Sequence, residues 1–241
     1  MRALDLFEAF RKAGRQLSLS ELARACGIPV STCHGTMRAL ERRGFLYFPT
    51  KREAYPTRKL WDLATNLAAN DPIAARLGPT LAELRDATGE TVILGTRHGD
   101  EVLYLMVLES PQTVRYTAGT GDRKPLHSSS IGKVMLGAMP DAELDAWLAS
   151  HGLPRVTDRT LTSVRRLRAD IQASRARGYY ATRGENVADV TAFACPLQFT
   201  GTTLGVAVAG PLQRIEGAEA RVAAKLRQCV QSAEMRNDGE R

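Results

Sequence analysis

Up to Gly89 the apolar residues of the chain fall mainly at helical spacing. Beyond it, alternating and continuous apolar runs take over. In "LDLFEAF", Leu4, Leu6, Phe7 and Phe10 predict a first short helix. "SLSELARACG" predicts a second. Ser18 and Glu21 have capping-box spacing, in which each side chain satisfies a free amide at the helix start. Leu19, Leu22, Ala23 and Cys26 line one face of it, and Gly27 stops it. A third helix starts at Pro29, whose missing N–H is no loss in a first turn. Its Val30, Cys33, Met37 and Leu40 form one apolar stripe; Ser31, His34, Gly35, Arg38 and Arg42 lie opposite, and Gly44 closes it. "FLYFPTKREAYPT" alternates around Lys51–Arg52, which predicts a short β-hairpin with a basic tip.

Residues 58–70 predict a further helix with Leu60, Leu63, Ala64 and Leu67 on one side, broken by "NDP". Another follows over 73–88. "TVILGTR" and "EVLYLMVL" then read as strands joined by the tight turn "HGDE", with "TVRYTAG" as a third strand. "SSSIGKVMLGAM", "DAELDAWLASHG" and "SVRRLRADIQASRARG" predict helices, and "TAFACPLQF" and "TLGVAVAGP" two more strands. Val222, Leu226, Val230 and Ala233 make the closing helix amphipathic. The fold class expected is α+β around an antiparallel sheet. The expected segments are 1–57, a linker helix over 58–72, and 73–241.

The distribution of charge changes the picture more than its total. The chain of 241 residues carries a net +7, and residues 1–70, with 12 basic and 6 acidic side chains, hold +6 of it. A basic N-terminal third points to a polyanion partner. Helix, helix, four-residue turn, helix and basic hairpin is the order of a winged helix-turn-helix. On this reading the small polar face of the third helix enters a major groove, and its arginines reach phosphates or guanine edges. No apolar run approaches the ~20 residues of a membrane span, and the charged N-terminus is no signal peptide. The expected compartment is the cytoplasm. Cys26, Cys33, Cys195 and Cys229 are widely separated, which argues against zinc or a disulfide framework and for buried thiols.

Four segments, "LSLSELARACGIPVSTCHGTMRALERRGFL", "PLHSSSIGKVMLG", "RARGYYATRGENV" and "VAVAGP", resemble the IclR family of bacterial transcriptional regulators in order and spacing. The resemblance implies a winged helix-turn-helix, a linker helix and a GAF-like domain that binds a small effector. It also implies homodimers or tetramers, no catalysis and no cofactor. DNA-reading positions carry over onto Ser31, Thr32, His34, Gly35 and Arg38, with Lys51 and Arg52 on the wing. Gly35 departs from the pattern, standing where the family commonly has arginine, and the chain starts almost at its first helix, without the usual leading arm.

The effector positions implied by the resemblance are Tyr116, Ser130, Ile131, Gly132, Thr182, Ala192, Ala207 and Ala209. In members that take small keto-acids, several of these are polar: an acid near 182, a thiol at 192, hydroxyls at 207 and 209. Three are alanine here. A larger, partly apolar effector such as an aromatic acid is therefore expected, its carboxylate on the helix amides of Ser130 to Gly132. The alternative is that Ala207 and Ala209 are ordinary strand packing with no pocket. Two other functions are open to the residues. His127 beside Ser128, Ser129 and Ser130 suggests a hydrolase, but adjacency supplies neither an orienting acid nor an oxyanion hole, and neither GxSxG nor a phosphate loop at Lys133 is present. A thiol switch would use Cys33 or Cys26, yet Cys33 lies in the apolar stripe and is expected to be buried. The partners expected are thus duplex DNA with a near-palindromic site, a small effector and a second copy of the chain.

Overall fold

The computed structural model describes residues 2–238; the outermost ends of the expected segments, Met1 and 239–241, lie outside them. The chain divides into two compact units, Met1–Pro72 and Ile73–Arg241.

The first unit is built from α1 (Arg2–Ala13), β1 (Leu17–Ser18), α2 (Leu19–Ala25), α3 (Val30–Arg42), β2 (Leu46–Tyr47), β3 (Glu53–Pro56) and α4 (Lys59–Ala69). The capping box at α2 is complete: the Ser18 amide donates to the Glu21 carboxylate at 2.8 Å, and the Glu21 amide to Ser18 Oγ. Leu6, Phe10, Leu22, Ala23, Cys33, Met37, Leu40, Leu46 and Ala54 make one core. In α1 and α3 one residue each departs from the predicted stripe. Leu4 and Val30, each in the first turn of its helix, are exposed. β1 pairs with β3 and β3 with β2, so the hairpin is one side of a three-stranded sheet. Two residues are too few to show alternation, and β1 carries no sequence signal. α4 buries none of its residues, and Trp61, Leu63 and Leu67 stand exposed along it.

The second unit begins with α5 (Pro72–Thr88), β4 (Thr91–His98), β5 (Glu101–Leu108) and β6 (Arg123–Pro125). α6 (Ser130–Gly137), α7 (Asp141–Ser150) and α8 (Val164–Arg177) follow. β7 (Tyr180–Arg183), β8 (Val190–Phe199), β9 (Thr202–Pro211), α9 (Leu212–Ile215) and α10 (Glu219–Asp238) complete it. The sheet runs β6-β5-β4-β9-β8-β7, every neighbour antiparallel. The α+β expectation holds. The third strand does not lie at 113–119. That segment is an extended loop in which Tyr116 and Ala118 turn inward, so its alternation reflects one-sided packing without a partner strand. The edge of β5 is taken instead by β6, with Glu101 opposite Pro125. β7, too short and too uniformly buried to alternate, is a strand the pattern missed.

The two faces of this sheet differ in bulk. Toward α5 and α10 it presents Val92, Leu94, Phe193, Cys195, Leu197, Val206 and Val208. Toward α6, α7 and α8 it presents Ile93 and the alanines 192, 194, 207 and 209. Gly95 pairs with Gly205, and Ile131 of α6 nests over both: a Cβ on Gly205 would lie 2.6 Å from it. Small residues thus let α6 sit low on the sheet, and leave space beside it.

Candidate DNA face and effector recess

In the first unit α3 and the wing form one cleft. His34 and Arg38 of α3, Phe48, Lys51 and Arg52 of the wing, and Ser18 and Ser20 at the start of α2 line about 560 Å³ of open space. Ser31 and Gly35 are exposed on the same helix, Thr32 is half-buried, and Arg42 is exposed outside the cleft. Nothing stands within 4 Å of where a Cβ on Gly35 would be. Arg38 pairs with Glu41 at 2.7 Å, a surface pair worth little, so its guanidinium is available to a stronger anion. Sequence reasoning missed Ser20 and Phe48, which only the packing of α2 and the wing beside α3 brings to the cleft.

In the second unit a narrow recess opens between the start of α6 and the alanine-rich sheet face. Its walls are Ile93, Tyr104, Tyr116, Ser129, Ser130, Thr182, Asn186, Val187, Val190, Ala192, Ala207 and Ala209. Six of the eight expected effector residues meet there. Ile131 turns its side chain onto the sheet glycines, and Gly132 packs its Cα against the Leu126 backbone; neither lines the recess. The recess holds about 380 Å³ of atom-free space, mouth included, but only about 30 Å³ in which the centre of a water-sized sphere can move. Tyr104 is buried beside Tyr116, and burial pushes its ionisation well up, so it stays a neutral phenol.

The start of α6 is capped by Ser129, whose hydroxyl accepts the Gly132 amide at 3.2 Å and donates to Pro125 O at 2.7 Å. The Gly132 amide is therefore not free for a ligand, unlike those of Ser130 and Ile131, which precede the first intrahelical bond. His127 Nε2 bonds Pro154 O at 2.9 Å, and burial holds its pKa below the ordinary value. Ser128 accepts from Asn186 at 3.1 Å. These residues are tied into structure, and no carboxylate orients His127 among the described residues. Lys133, fully buried, is ion-paired with Asp170 at 2.8 Å and Glu185 at 2.7 Å. Cys33, Cys195 and Cys229 are buried and Cys26 is partly so; desolvation raises all four, Cys195 to about 12 and Cys229 to about 11. None is a poised thiolate. No described helix is long and apolar enough to cross a membrane.

A basic helix-turn-helix unit followed by an α+β unit with a recess is the layout of a ligand-responsive DNA-binding protein. The family model "IclR helix-turn-helix domain" matches residues 1–49, and "Bacterial transcriptional regulator IclR C-terminal" matches residues 65–235. The chain belongs to the IclR family of bacterial transcriptional regulators. It is 32% identical to the HTH-type transcriptional regulator BhcR of Paracoccus denitrificans over 222 residues, 90% of this chain and 78% of that one. A transcriptional regulator from Rhodococcus superposes with a TM-score of 0.83 at 23% identity over 100% of this chain and 98% of that one, a likeness of fold. An IclR homologue from Microbacterium hydrocarbonoxydans, crystallised with 4-hydroxybenzoate, superposes with a TM-score of 0.79 at 25% identity over 99% and 98%. Relatives of this kind are regulators, and the chain is a DNA-binding regulator and not an enzyme.

Proposed function

We propose that operator binding by this regulator is controlled by a flat, partly apolar organic acid, an aromatic acid, seated in the recess beside α6. One observation carries this reading: the recess has a floor of methyl groups from Ala192, Ala207 and Ala209, and a polar end at the helix start. The methyl groups offer no hydrogen bond to a small keto-acid and present an apolar floor to a ring, which the narrow recess must widen to admit. The amides of Ser130 and Ile131 attract a carboxylate through unsatisfied N–H groups and the helix dipole. The 4-hydroxybenzoate bound by the Microbacterium relative supports the same chemistry.

On the DNA side, α3 presents Ser31, Thr32, His34, Gly35 and Arg38 to the major groove, while Arg42, Lys51 and Arg52 neutralise phosphates. Two copies are required. Their α3 helices must lie ~34 Å apart to read the halves of a near-palindrome, and the exposed Trp61, Leu63 and Leu67 of α4 supply an apolar face for self-association. The effector acts by preferring one arrangement of the oligomer.

The test is a gel shift on the DNA flanking the protein's own gene, with and without benzoate and 4-hydroxybenzoate, beside thermal-shift measurements that include pyruvate and glyoxylate. Aromatic acids are expected to raise the melting temperature and to change the shift. Stabilisation by the short acids alone overturns the effector reading, and no retardation at low salt overturns the DNA reading.

A further inference from the structure

We propose that Asn186 is a recognition residue of the recess, donating an amide N–H to the carboxylate of the bound aromatic acid. The proposal rests on the recess being the effector site. Asn186 lies in the turn between β7 and β8 and forms part of the recess wall. Its Nδ2 donates to Ser128 Oγ at 3.1 Å, which orients the amide. An amide group has two N–H donors, so one donor and the carbonyl oxygen are left without a partner among the described residues.

The turn itself is fixed at several points. Thr157 Oγ1 donates to Gly184 O at 2.6 Å and Thr160 Oγ1 to Glu185 O at 2.7 Å. The Gly184 amide donates to Val190 O at 2.8 Å, and Lys133 holds the Glu185 carboxylate. Gly184 has φ +73°, and a Cβ there would lie 2.6 Å from Ala188 O. Recognition needs a side chain placed in advance by its surroundings, and this turn provides one.

Two further groups point to a ligand at the same place. The hydroxyls of Ser130 and Thr182 line the recess, their residues only 5% and 4% exposed, and neither has a hydrogen-bond partner among the described residues. Both hydroxyls open onto the recess, where a ligand can pair with them. A carboxylate at the start of α6 accepts from both, from the free helix amides and from Asn186. All these donors are neutral, so the charge at position 186 is diagnostic.

The experiment is calorimetric titration of the full chain with 4-hydroxybenzoate and with its uncharged analogue 4-hydroxybenzamide. Wild type, Asn186→Ala and Asn186→Asp are compared, with circular dichroism confirming the fold. Asn186→Ala is expected to weaken the acid ~10-fold, as loss of a charge-assisted hydrogen bond does. Asn186→Asp is expected to weaken it ~100-fold by opposing two carboxylates in a low-dielectric site, while the amide changes less than ~3-fold. Should Asn186→Ala fail to fold, Asn186→Ser carries the same comparison. Wild type that binds the acid while the variants bind it equally, or Asn186→Asp weakening acid and amide alike, overturns the role of Asn186 and leaves the recess reading intact. Wild type that binds neither compound overturns both.

Discussion

At the scale of the residue, the buried charges of the second unit are the informative ones. Lys133 lies between Asp170 and Glu185 with no exposure to solvent. Replacing it by methionine strands two carboxylates, and Lys133→Met is expected to cost ~3–5 kcal/mol in a denaturant titration. Glu185 behaves differently. Burial raises its carboxyl pKa above the usual 4.5, and the attraction of Lys133 only partly offsets this. The folded state therefore holds that proton more tightly than the unfolded chain does. The resulting stabilisation is complete below pH 4.5 and is lost as pH rises through the raised value. Wild type and Glu185→Gln should accordingly unfold alike in acid, and the Gln variant should gain on wild type toward neutrality. A stability difference that is flat with pH counts against this account. No local pattern reveals the cluster, since Asp170 and Glu185 lie 37 and 52 positions from Lys133.

At the scale of the element, α3 shows what periodicity captures and what it leaves out. Cys33, Met37 and Leu40 are buried as the stripe requires, whereas Val30, the first residue of the helix, is exposed. Gly35 sits mid-helix with open space around it. Gly35→Ala is therefore expected to stabilise the first unit by ~0.5–1 kcal/mol through backbone entropy, read from thermal melts. Arg38→Ala should weaken specific DNA binding by ~1–3 kcal/mol if it reads a base, whereas Lys51→Ala should lower the salt slope by ~1. Equal operator affinity in all three proteins would place the DNA face elsewhere. Strands β4, β5, β8 and β9 were legible because each spans eight to ten residues around a continuous or alternating apolar run. β1, β7 and the loop at 113–119 were not, since pairing across long separations, not local pattern, decides them. The recess follows the same rule. Ser130, Thr182 and the alanines were reached through resemblance, but Tyr104, Asn186 and Val190 became visible only once the strands were paired.

At the scale of the whole molecule, the exposed side chains of α4 bear on assembly. Trp61 and Leu67 are 66% and 67% exposed in the single chain, which forfeits their burial energy unless a second copy covers them. Sedimentation should show a dimer or larger for wild type. Leu67→Glu should shift it toward monomer and, with the second half-site contact gone, weaken operator binding. A monomeric wild type that still binds a palindrome tightly would dismiss the paired arrangement. The nesting of Ile131 over Gly95 and Gly205 also reaches beyond packing. Any side chain at 205 collides with that isoleucine, and the helix must lift, because the strands beneath are held by ladders on both edges. A mutant hunt in living cells should thus return changes at Gly205 as signal-deaf alleles, strains whose promoter occupancy no longer changes as the metabolite accumulates.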